Sequence, residues 1–221
     1  MAHIERRVRC RTCGGPFMSG SCQKCGRQAG QMAYRARYID PTGRERSRSF
    51  SRKVDAERFL ALSIAGARKT MYISNSYFVP DDDFRRMLVA AAKRGVDVRL
   101  LTTGDKTDIR TTWYAGRRRY EELLSGGVRI YEYQPSMMHA KTFVIDGAWS
   151  TIGTMNFDNR SLAFNDETNL VAFDRRLGAA MDSIFLDDLK FSKEIQLEEF
   201  RRRPWHQKVF ENAAHLLSRV L

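Results

Sequence analysis

The stretch H-A-K-T-F-V-I-D at residues 139–146, followed by G-T-M-N at residues 153–156, is the most informative part of this sequence. It sets one imidazole, one ammonium and one amide in a fixed order: His139, Lys141 and Asn156. An imidazole can attack phosphorus or carry a proton, and a cation and an amide can hold phosphate oxygens. The pattern therefore predicts a site for covalent phosphodiester chemistry, with no cofactor required for catalysis.

The first half of this motif falls on a predicted β-strand, residues 139–145. Because alternate residues of a strand face the same way, His139 and Lys141 should project together while Ala140 points into the sheet. Asn156 follows the next predicted strand and should complete the grip on one phosphate.

Asp146 lies at the end of the same predicted strand, directly before Gly147. A catalytic role and a structural role in the turn are equally compatible with that position. Asp146 therefore belongs with the candidate catalytic residues.

From Lys69 onward, apolar stretches of strand length alternate with amphipathic stretches of helix length. The predicted strands cover residues 71–79, 96–102, 128–133, 139–145, 150–154 and 168–173, and the predicted helices cover residues 83–94, 109–125 and 175–197. This order predicts an α/β fold over residues 69–221, a layered domain with a mixed β-sheet flanked by helices.

The charge of the chain is unevenly distributed. Its 221 residues carry a formal net charge of +12. Residues 1–68 hold 15 Lys and Arg against 5 Asp and Glu, a balance of +10, whereas the remainder holds 23 against 21. Such asymmetry predicts a basic segment that binds a polyanion, attached to a nearly neutral domain; a solvated basic surface is the alternative.

The longest strongly apolar stretch, residues 88–92, is far shorter than the ~20 residues that span a bilayer. The first residues, M-A-H-I-E-R-R, lack the apolar core of a secretion signal. We therefore expect a cytoplasmic protein without a transmembrane segment.

The last predicted helix, residues 204–221, carries an apolar stripe. The stripe consists of Trp205, Val209, Phe210, Ala213, Leu216, Leu217 and Val220. It predicts packing against the core or a second copy, or, because residues 201–203 are all arginine, peripheral contact with the inner face of the membrane.

All four cysteines lie near the start of the chain, as two C-x-x-C-G turns: Cys10, Cys13, Cys22 and Cys25. Two such turns can hold a tetrahedral Zn²⁺ through four thiolates. Two disulfides are the alternative, which the reducing compartment expected for this chain disfavours. Residues 1–29 therefore predict a zinc ribbon whose metal has a structural role, because so short a segment cannot bury a core.

Residues 33–40 and 44–50 alternate apolar with polar or basic positions and flank a P-T-G turn, which predicts a β-hairpin. Residues 54–67 then predict a helix. Alternation should place most of the hairpin arginines on one face, suited to duplex DNA; these are Arg35, Arg37, Arg44, Arg46 and Arg48. Residues 30–68 resemble the arm-type DNA-binding domain of phage integrases, with a generic basic hairpin as the alternative.

The motif and five further segments resemble the phospholipase D superfamily, in particular the second half of a bacterial cardiolipin synthase. The segments are Y-F-V-P-D-D at residues 77–82, R-G-V-D-V-R-L-L at 94–101, Y-E-Y-Q-P at 131–135, N-F-D-N-R-S at 156–161 and E-F-R-R-R-P-W at 199–205. The resemblance covers residues 66–221. It departs at Thr154, where the family usually has Ser, although a hydroxyl is kept.

The resemblance implies roles for several residues. In the family, one histidine attacks phosphorus to form a phosphohistidine, and a second protonates the leaving alcohol and later deprotonates the acceptor. By this likeness His139 supplies one imidazole, Glu167 orients it, and Gly153 and Thr154 contact the substrate. For Glu167, a solvated residue at a strand end is the alternative.

This chain carries a single H-x-K-x4-D motif, so the likeness implies a homodimer in which each copy supplies His139. The resulting prediction is a phosphodiesterase or phosphatidyltransferase that acts on a phospholipid. An endonuclease of the same superfamily and a DNA-binding protein with an inactive half-domain are the alternatives.

Overall fold

The computed structural model describes the backbone of part of the chain and the side chains of a smaller part. The backbone is described for residues 4–6, 17–18, 21–22, 34–39, 45–50, 64–158 and 169–217, and the side chains for residues 64–158 and 169–214.

The strands before residue 64 are β1 (Ile4–Arg6), β2 (Phe17–Met18), β3 (Ser21–Cys22), β4 (Tyr34–Ile39) and β5 (Glu45–Phe50). Those after it are β6 (Thr70–Asn75), β7 (Asp97–Thr103), β8 (Arg129–Tyr133), β9 (Lys141–Ile145), β10 (Trp149–Gly153), β11 (Asn169–Phe173) and β12 (Ser192–Glu194). The helices are α1 (Asp82–Lys93), α2 (Arg110–Arg117), α3 (Tyr120–Ser125), α4 (Arg175–Leu189), α5 (Leu197–Arg201) and α6 (Trp205–Leu217).

The strands from β6 to β12 form one mixed sheet in the order β11-β10-β9-β6-β7-β8-β12. β6, β7 and β8 run parallel and are connected through α1 and then through α2 and α3. β9, β10 and β11 pair antiparallel on one side of β6, and β12 pairs antiparallel with β8 at the opposite edge. The predicted α/β fold with a mixed, helix-flanked sheet is confirmed.

The sheet separates two apolar layers. Met71 and Ile73 of β6 face the larger core beneath α1 and α3. Tyr72, between them, faces the other side, where its ring stacks on Phe185 of α4 at 4.8 Å between centroids. This alternation is the period of two that a strand buried on both faces requires.

The boundaries of α1 follow from local chemistry. The Asp81 carboxylate accepts a hydrogen bond from the backbone N–H of Phe84 at 2.7 Å, which satisfies one of the free donors of the first turn. Lys93 lies in the last turn, and Gly95 follows with a φ of +91°, a conformation that favours glycine. The sequence predicts both ends of this helix to within a residue.

Three predicted elements differ from the structure by more than two residues. The strand predicted over residues 71–79 ends at Asn75, and the helix predicted over residues 109–125 is divided into α2 and α3. The helix predicted over residues 175–197 ends at Leu189 and is followed by β12. In each case a partner distant in sequence determines where the element ends.

The N-terminal hairpin forms as the sequence predicts: β4 and β5 pair antiparallel in a small sheet of order β1-β4-β5. Its register places Arg35 opposite Ser49 and Arg46 opposite Tyr38. Because directly opposed residues share a face, the expectation of one arginine face needs correction. The described arginines divide between the two faces: Arg35 and Arg37 on one, Arg46 and Arg48 on the other.

Several expectations fall on residues that the structure does not describe. Cys10, Cys13, Cys25 and Arg44 are among them, as is the predicted helix before residue 64; residues 64–66 are helical. Cys22 ends β3, which pairs with β2. The predicted domain boundaries at residues 29 and 68 stay predictions.

Candidate active site

The candidate site lies at one edge of the mixed sheet, where β6 ends and β9 begins. Asn75, the last residue of β6, is paired with Lys141, the first residue of β9. Asn156 follows β10 at the same edge. The carboxyl ends of parallel strands commonly carry the ligand sites of α/β sheets, because the chain leaves the sheet there in loops.

Ser76 connects the cation and the amide of the motif. The Lys141 Nζ donates to Ser76 Oγ at 2.9 Å and to the backbone oxygen of His139 at 3.0 Å. Ser76 Oγ donates in turn to Asn156 Oδ1 at 3.3 Å. The structure thus brings together the three residues on which the phosphodiester interpretation depends.

Asn75 holds the loop that carries Asn156. Its side chain is 1% exposed, donates to the backbone oxygen of Met155 at 3.3 Å and accepts from the backbone N–H of Phe157 at 3.1 Å. Both backbone groups adjacent to Asn156 are therefore tied to the end of β6. A buried amide with both ends satisfied fixes a loop more firmly than an exposed one.

Thr103, at the end of β7, holds the chain just before His139. Its buried hydroxyl is 3.0 Å from the backbone oxygen of Met138 and 3.1 Å from that of Ser76, and it can donate to either. Ser76 and the residue before His139 are therefore both held by the Thr103 hydroxyl, and Ser76 and His139 are the two partners of Lys141.

The His139 side chain is exposed, and the edge of its ring meets Tyr77 with 6.0 Å between ring centroids. The Tyr77 hydroxyl donates to both oxygens of Asp108, at 2.7 and 2.9 Å. Burial, followed by the Asp108 hydrogen bond and charge, raises the pKa of Tyr77 well above its usual range, so the hydroxyl stays a donor. Lys141 Nζ lies 6.0 Å from the centre of the same ring, so the imidazole and the ammonium of the motif both border Tyr77.

The position of Ala140 corrects one expectation. β9 begins at Lys141, so His139 and Ala140 precede the strand, and Ala140 is exposed rather than directed into the sheet. His139 and Lys141 come together because both flank Tyr77 and because the ammonium donates to the His139 backbone oxygen.

Asp146 lies at the far end of β9, about five strand residues or ~16 Å from Lys141. Its carboxylate accepts from the backbone N–H groups of Arg68, Lys69 and Thr70 at 3.0, 2.7 and 3.0 Å. Its own φ is +52°, and Gly147 follows at +58°. The structural role is therefore the one the geometry supports, and its place among the catalytic candidates is corrected.

Of the remaining candidate residues, the structure describes Gly153 and Thr154. Gly153 ends β10 opposite Asn169, and Thr154 follows it with an exposed side chain. Glu167 lies outside the described residues. The structure thus places Gly153 at the end of β10 and Thr154 on the loop that leads to Asn156.

Sequence reasoning missed five residues of the site and its surroundings: Asn75, Ser76, Tyr77, Thr103 and Asp108. The signal for the first three was the polar run N-S-Y, which directly follows an apolar strand at the edge where loops leave the sheet. Thr103 is similarly the last residue of β7.

This edge of the sheet brings together the groups of the histidine–lysine motif. An ammonium and an amide linked through one hydroxyl provide donors for its oxygens, and an exposed imidazole borders them. Fold and site together define a mixed α/β domain with a histidine–lysine motif at one edge of its sheet.

The chain belongs to the cardiolipin synthase family with a phospholipase D-like domain, whose family model matches residues 60–189. It is 42% identical over 158 residues to cardiolipin synthase 2 of Bacillus anthracis, an alignment covering 72% of this chain and 30% of that protein. It is 37% identical over 158 residues to the cardiolipin synthase of Halalkalibacterium halodurans, covering 72% and 31%. The chain therefore spans about a third of the length of the curated relatives it matches.

Two solved structures share the fold. The phospholipase D family member Nuc from Salmonella typhimurium superposes with a TM-score of 0.57 at 19% identity, over 74% of this chain and 99% of that one. The phosphatidylserine synthase of Haemophilus influenzae Rd KW20 superposes with a TM-score of 0.61 at 13% identity, over 95% and 52%. Among the described residues, no helix is both long enough and apolar enough to cross a membrane.

Proposed function

We propose that this chain is the catalytic half of a phospholipase D-type phosphatidyltransferase, similar to cardiolipin synthase. The observation that supports it is the linked set of Lys141, Ser76 and Asn156 beside His139. Family membership suggests a phospholipid as the donor. The chain would then act on a membrane surface as a peripheral protein, on the cytoplasmic side.

In the proposed reaction, a ring nitrogen of His139 attacks the phosphorus of the phosphatidyl group. A nitrogen–phosphorus bond forms, the bond from phosphorus to the leaving alcohol breaks, and a second imidazole protonates that alcohol. The acceptor alcohol then gives its proton to the second imidazole and attacks phosphorus, which releases His139. Lys141 and Asn156 stabilise the charge on the phosphate oxygens in both steps.

The second imidazole comes from a second copy of the chain. Among residues 64–158 and 169–214, the other histidine is His206, which lies on α6 rather than in the His139 cluster. We propose a homodimer in which the two His139 side chains face one phosphate across a twofold axis.

Covalent trapping tests the proposal. The full chain is incubated with a short-chain phosphatidyl donor, quenched in alkali, digested and analysed by mass spectrometry. The phosphatidyl mass should appear on the peptide that contains His139, persist after EDTA treatment, and disappear in His139→Ala. Turnover of the donor with the label on another residue would contradict the phosphohistidine mechanism.

We also propose that the four cysteines hold one structural Zn²⁺. β2 and β3 pair with Phe17 opposite Cys22, so the chain enters and leaves this hairpin at one end. In the sequence, one C-x-x-C pair precedes this hairpin and the other begins at Cys22, its last residue. Four thiolates suit zinc, with Zn–S distances of roughly 2.3 Å. Two intact disulfides and no metal in the native mass spectrum would contradict this proposal.

The basic N-terminal segment favours a second candidate function, the handling of duplex DNA. Its +10 balance suits phosphate contacts, whose affinity falls steeply with salt. Because the register divides the arginines between two faces, Arg35→Ala/Arg37→Ala and Arg46→Ala/Arg48→Ala should weaken binding unequally. DNA cleavage that depends on His139, without phosphatidyl transfer, would favour the endonuclease; salt-sensitive DNA binding with neither activity would favour an inactive half-domain.

A further inference from the structure

The last described helix, α6, is turned opposite to the usual amphipathic arrangement. Its inner side buries Glu211 completely, whereas Trp205, Val209 and Phe210 are exposed by 76%, 54% and 57%. Helices on the surface of a globular protein normally bury the apolar side and expose the charged one. Trp205 and Val209 lie one turn apart, so they form one stripe with the adjoining Phe210.

A buried ion pair prevents the helix from rotating this stripe inward. The Arg203 guanidinium donates to Glu211 Oε1 at 3.1 Å and to Oε2 at 3.0 and 2.8 Å, and it stacks 3.8 Å from the centre of Phe200. Arg117 lies 3.6 Å from the same carboxylate. Rotation would separate the buried Arg203 from its close partner Glu211 and leave it with Glu121 at 3.9 Å, which is unfavourable. The apolar stripe is therefore held outward.

Exposed cations flank the stripe. Arg202 precedes Trp205 by less than one turn, and Lys208 lies beside it on the helix; both are exposed. Arg201, in contrast, is engaged by Glu121 and Glu198. An outward tryptophan bordered by available cations is typical of helices that lie in the interface of an anionic bilayer.

The helix that carries the stripe packs, through its inner side, against the segment that joins β6 to α1. Val79 packs with Ala214 on the inner side of α6 and with Ala115 of α2. Val79 is two residues beyond Tyr77, whose ring meets His139. Membrane binding through α6 would therefore bring the segment that borders His139 close to the bilayer.

We propose that Trp205, Val209 and Phe210, with Arg202 and Lys208, form a surface that inserts into an anionic phospholipid bilayer and presents the active site to its substrate. We name these residues the α6 surface. The proposal rests on the proposed phosphatidyltransferase function, and its test separates the two.

Binding is measured by sedimentation of the full chain with phosphatidylcholine vesicles that contain about 30% phosphatidylglycerol. Trp205→Ser/Phe210→Ser should reduce the partition coefficient about tenfold or more, since both side chains would leave the acyl region. Ile184→Ser is the matched control: Ile184 is 62% exposed but lies on α4, on the other side of the sheet. That control should bind like the unmodified chain.

Insertion is distinguished from electrostatic adsorption by the N-terminal segment through brominated acyl chains, which quench a tryptophan within the bilayer. Quenching should be strong in the unmodified chain and largely lost in Trp205→Phe. Arg202→Gln/Lys208→Gln should lower binding to anionic vesicles and leave binding to pure phosphatidylcholine unchanged.

Activity separates the outcomes. Trp205→Ser/Phe210→Ser should lose turnover of the vesicle substrate and keep turnover of a dispersed short-chain phosphodiester. Full vesicle binding in this variant overturns the membrane proposal. If the variant binds vesicles fully and changes from dimer to monomer, the α6 surface is a contact between copies instead. Absence of turnover on both substrates in the unmodified chain refutes the proposed function and leaves the quenching result standing by itself.

Discussion

Ser76 determines the geometry of the candidate site although it lies outside the histidine–lysine motif. Its hydroxyl accepts from Lys141 and donates to Asn156, and its backbone oxygen is held by Thr103. The side chain is only 4% exposed, so water does not readily replace these bonds. One hydroxyl therefore positions the two groups that would hold the phosphate.

Substitutions of Lys141 and Ser76 should separate the effect of losing the positive charge from the effect of losing the hydroxyl that positions it. We expect Lys141→Ala to lower kcat by roughly 10²–10³, as for the loss of a donor to developing negative charge. Ser76→Ala should lower it by about tenfold, because each hydrogen bond contributes ~1 kcal/mol. Ser125→Ala, at an exposed serine of α3, is the control. Steady-state kinetics on a phosphatidyl donor measure all three; full turnover in Ser76→Ala would contradict the positioning role.

Asp182 offers a test of stability against pH. It faces the turn at Gly147, its Oδ1 is buried without a hydrogen-bond partner among the described residues, and burial and then the Asp146 charge raise its pKa. A carboxyl group with a raised folded pKa stabilises the fold below its unfolded pKa of about 3.9, and that contribution is lost as pH rises through the folded pKa.

Asp182→Asn should therefore raise the Tm at neutral pH, by about 2–4 °C if the gain is ~1 kcal/mol. The gain should shrink as the pH is lowered toward 4, because the carboxyl group of the unmodified chain then becomes protonated. Thermal unfolding followed by circular dichroism at several pH values measures this. A gain that does not depend on pH would show that the ionised carboxylate is not the cause.

At the scale of elements, the sequence predicts those whose boundaries are set locally and misses those set by distant partners. Asp81 and Gly95 indicate where α1 begins and ends, and the helix in the structure begins and ends there. The helical pattern of residues 109–125 runs unbroken, yet α2 packs against α6 while α3 packs against β8 and α5. β12 exists because its residues pair with β8, some 60 positions earlier, which no local pattern shows.

The site shows the same limit. The motif identifies His139, Lys141 and Asn156, and all three come to one sheet edge. The motif places Asp146 at the far end of its strand, but it cannot show that the backbone N–H groups of residues 68–70 bind the carboxylate, because those residues lie more than 70 positions earlier. The sequence also does not show the roles of the buried residues Asn75 and Thr103, because their partners come close only after three strands have paired.

The ion pair that holds α6 should contribute more to stability than surface pairs do. Glu211→Ala should lower the free energy of unfolding by about 3–5 kcal/mol, because it removes the close partner of the buried Arg203 and leaves Glu121, 3.9 Å away, as its remaining described counter-charge. Glu198→Ala, at a largely exposed partner of Arg201, should change it by less than ~0.5 kcal/mol. Urea unfolding of both variants measures the difference. Similar losses in the two would show that the Glu211 pair is not the anchor of the helix.

At the scale of the whole molecule, the proposed chemistry requires something that one copy does not provide. Two imidazoles must face one phosphate, and the described part of the chain has one at the site. The chain spans 30% of the cardiolipin synthase 2 that it matches. Pairing of two copies around a twofold axis would supply both groups from one motif, each His139 in a different role.

A mixing experiment tests this pairing. The unmodified chain and His139→Ala are combined in equal amounts under conditions that allow subunits to exchange, and sedimentation confirms that the variant still dimerises. If both imidazoles are needed, only dimers of two unmodified copies are active, so turnover should fall to about a quarter of that of the same total amount of unmodified chain. If each copy acts alone, turnover should fall to about half. The second result would mean that the partner histidine is not required, and the proposed two-histidine mechanism would have to be abandoned.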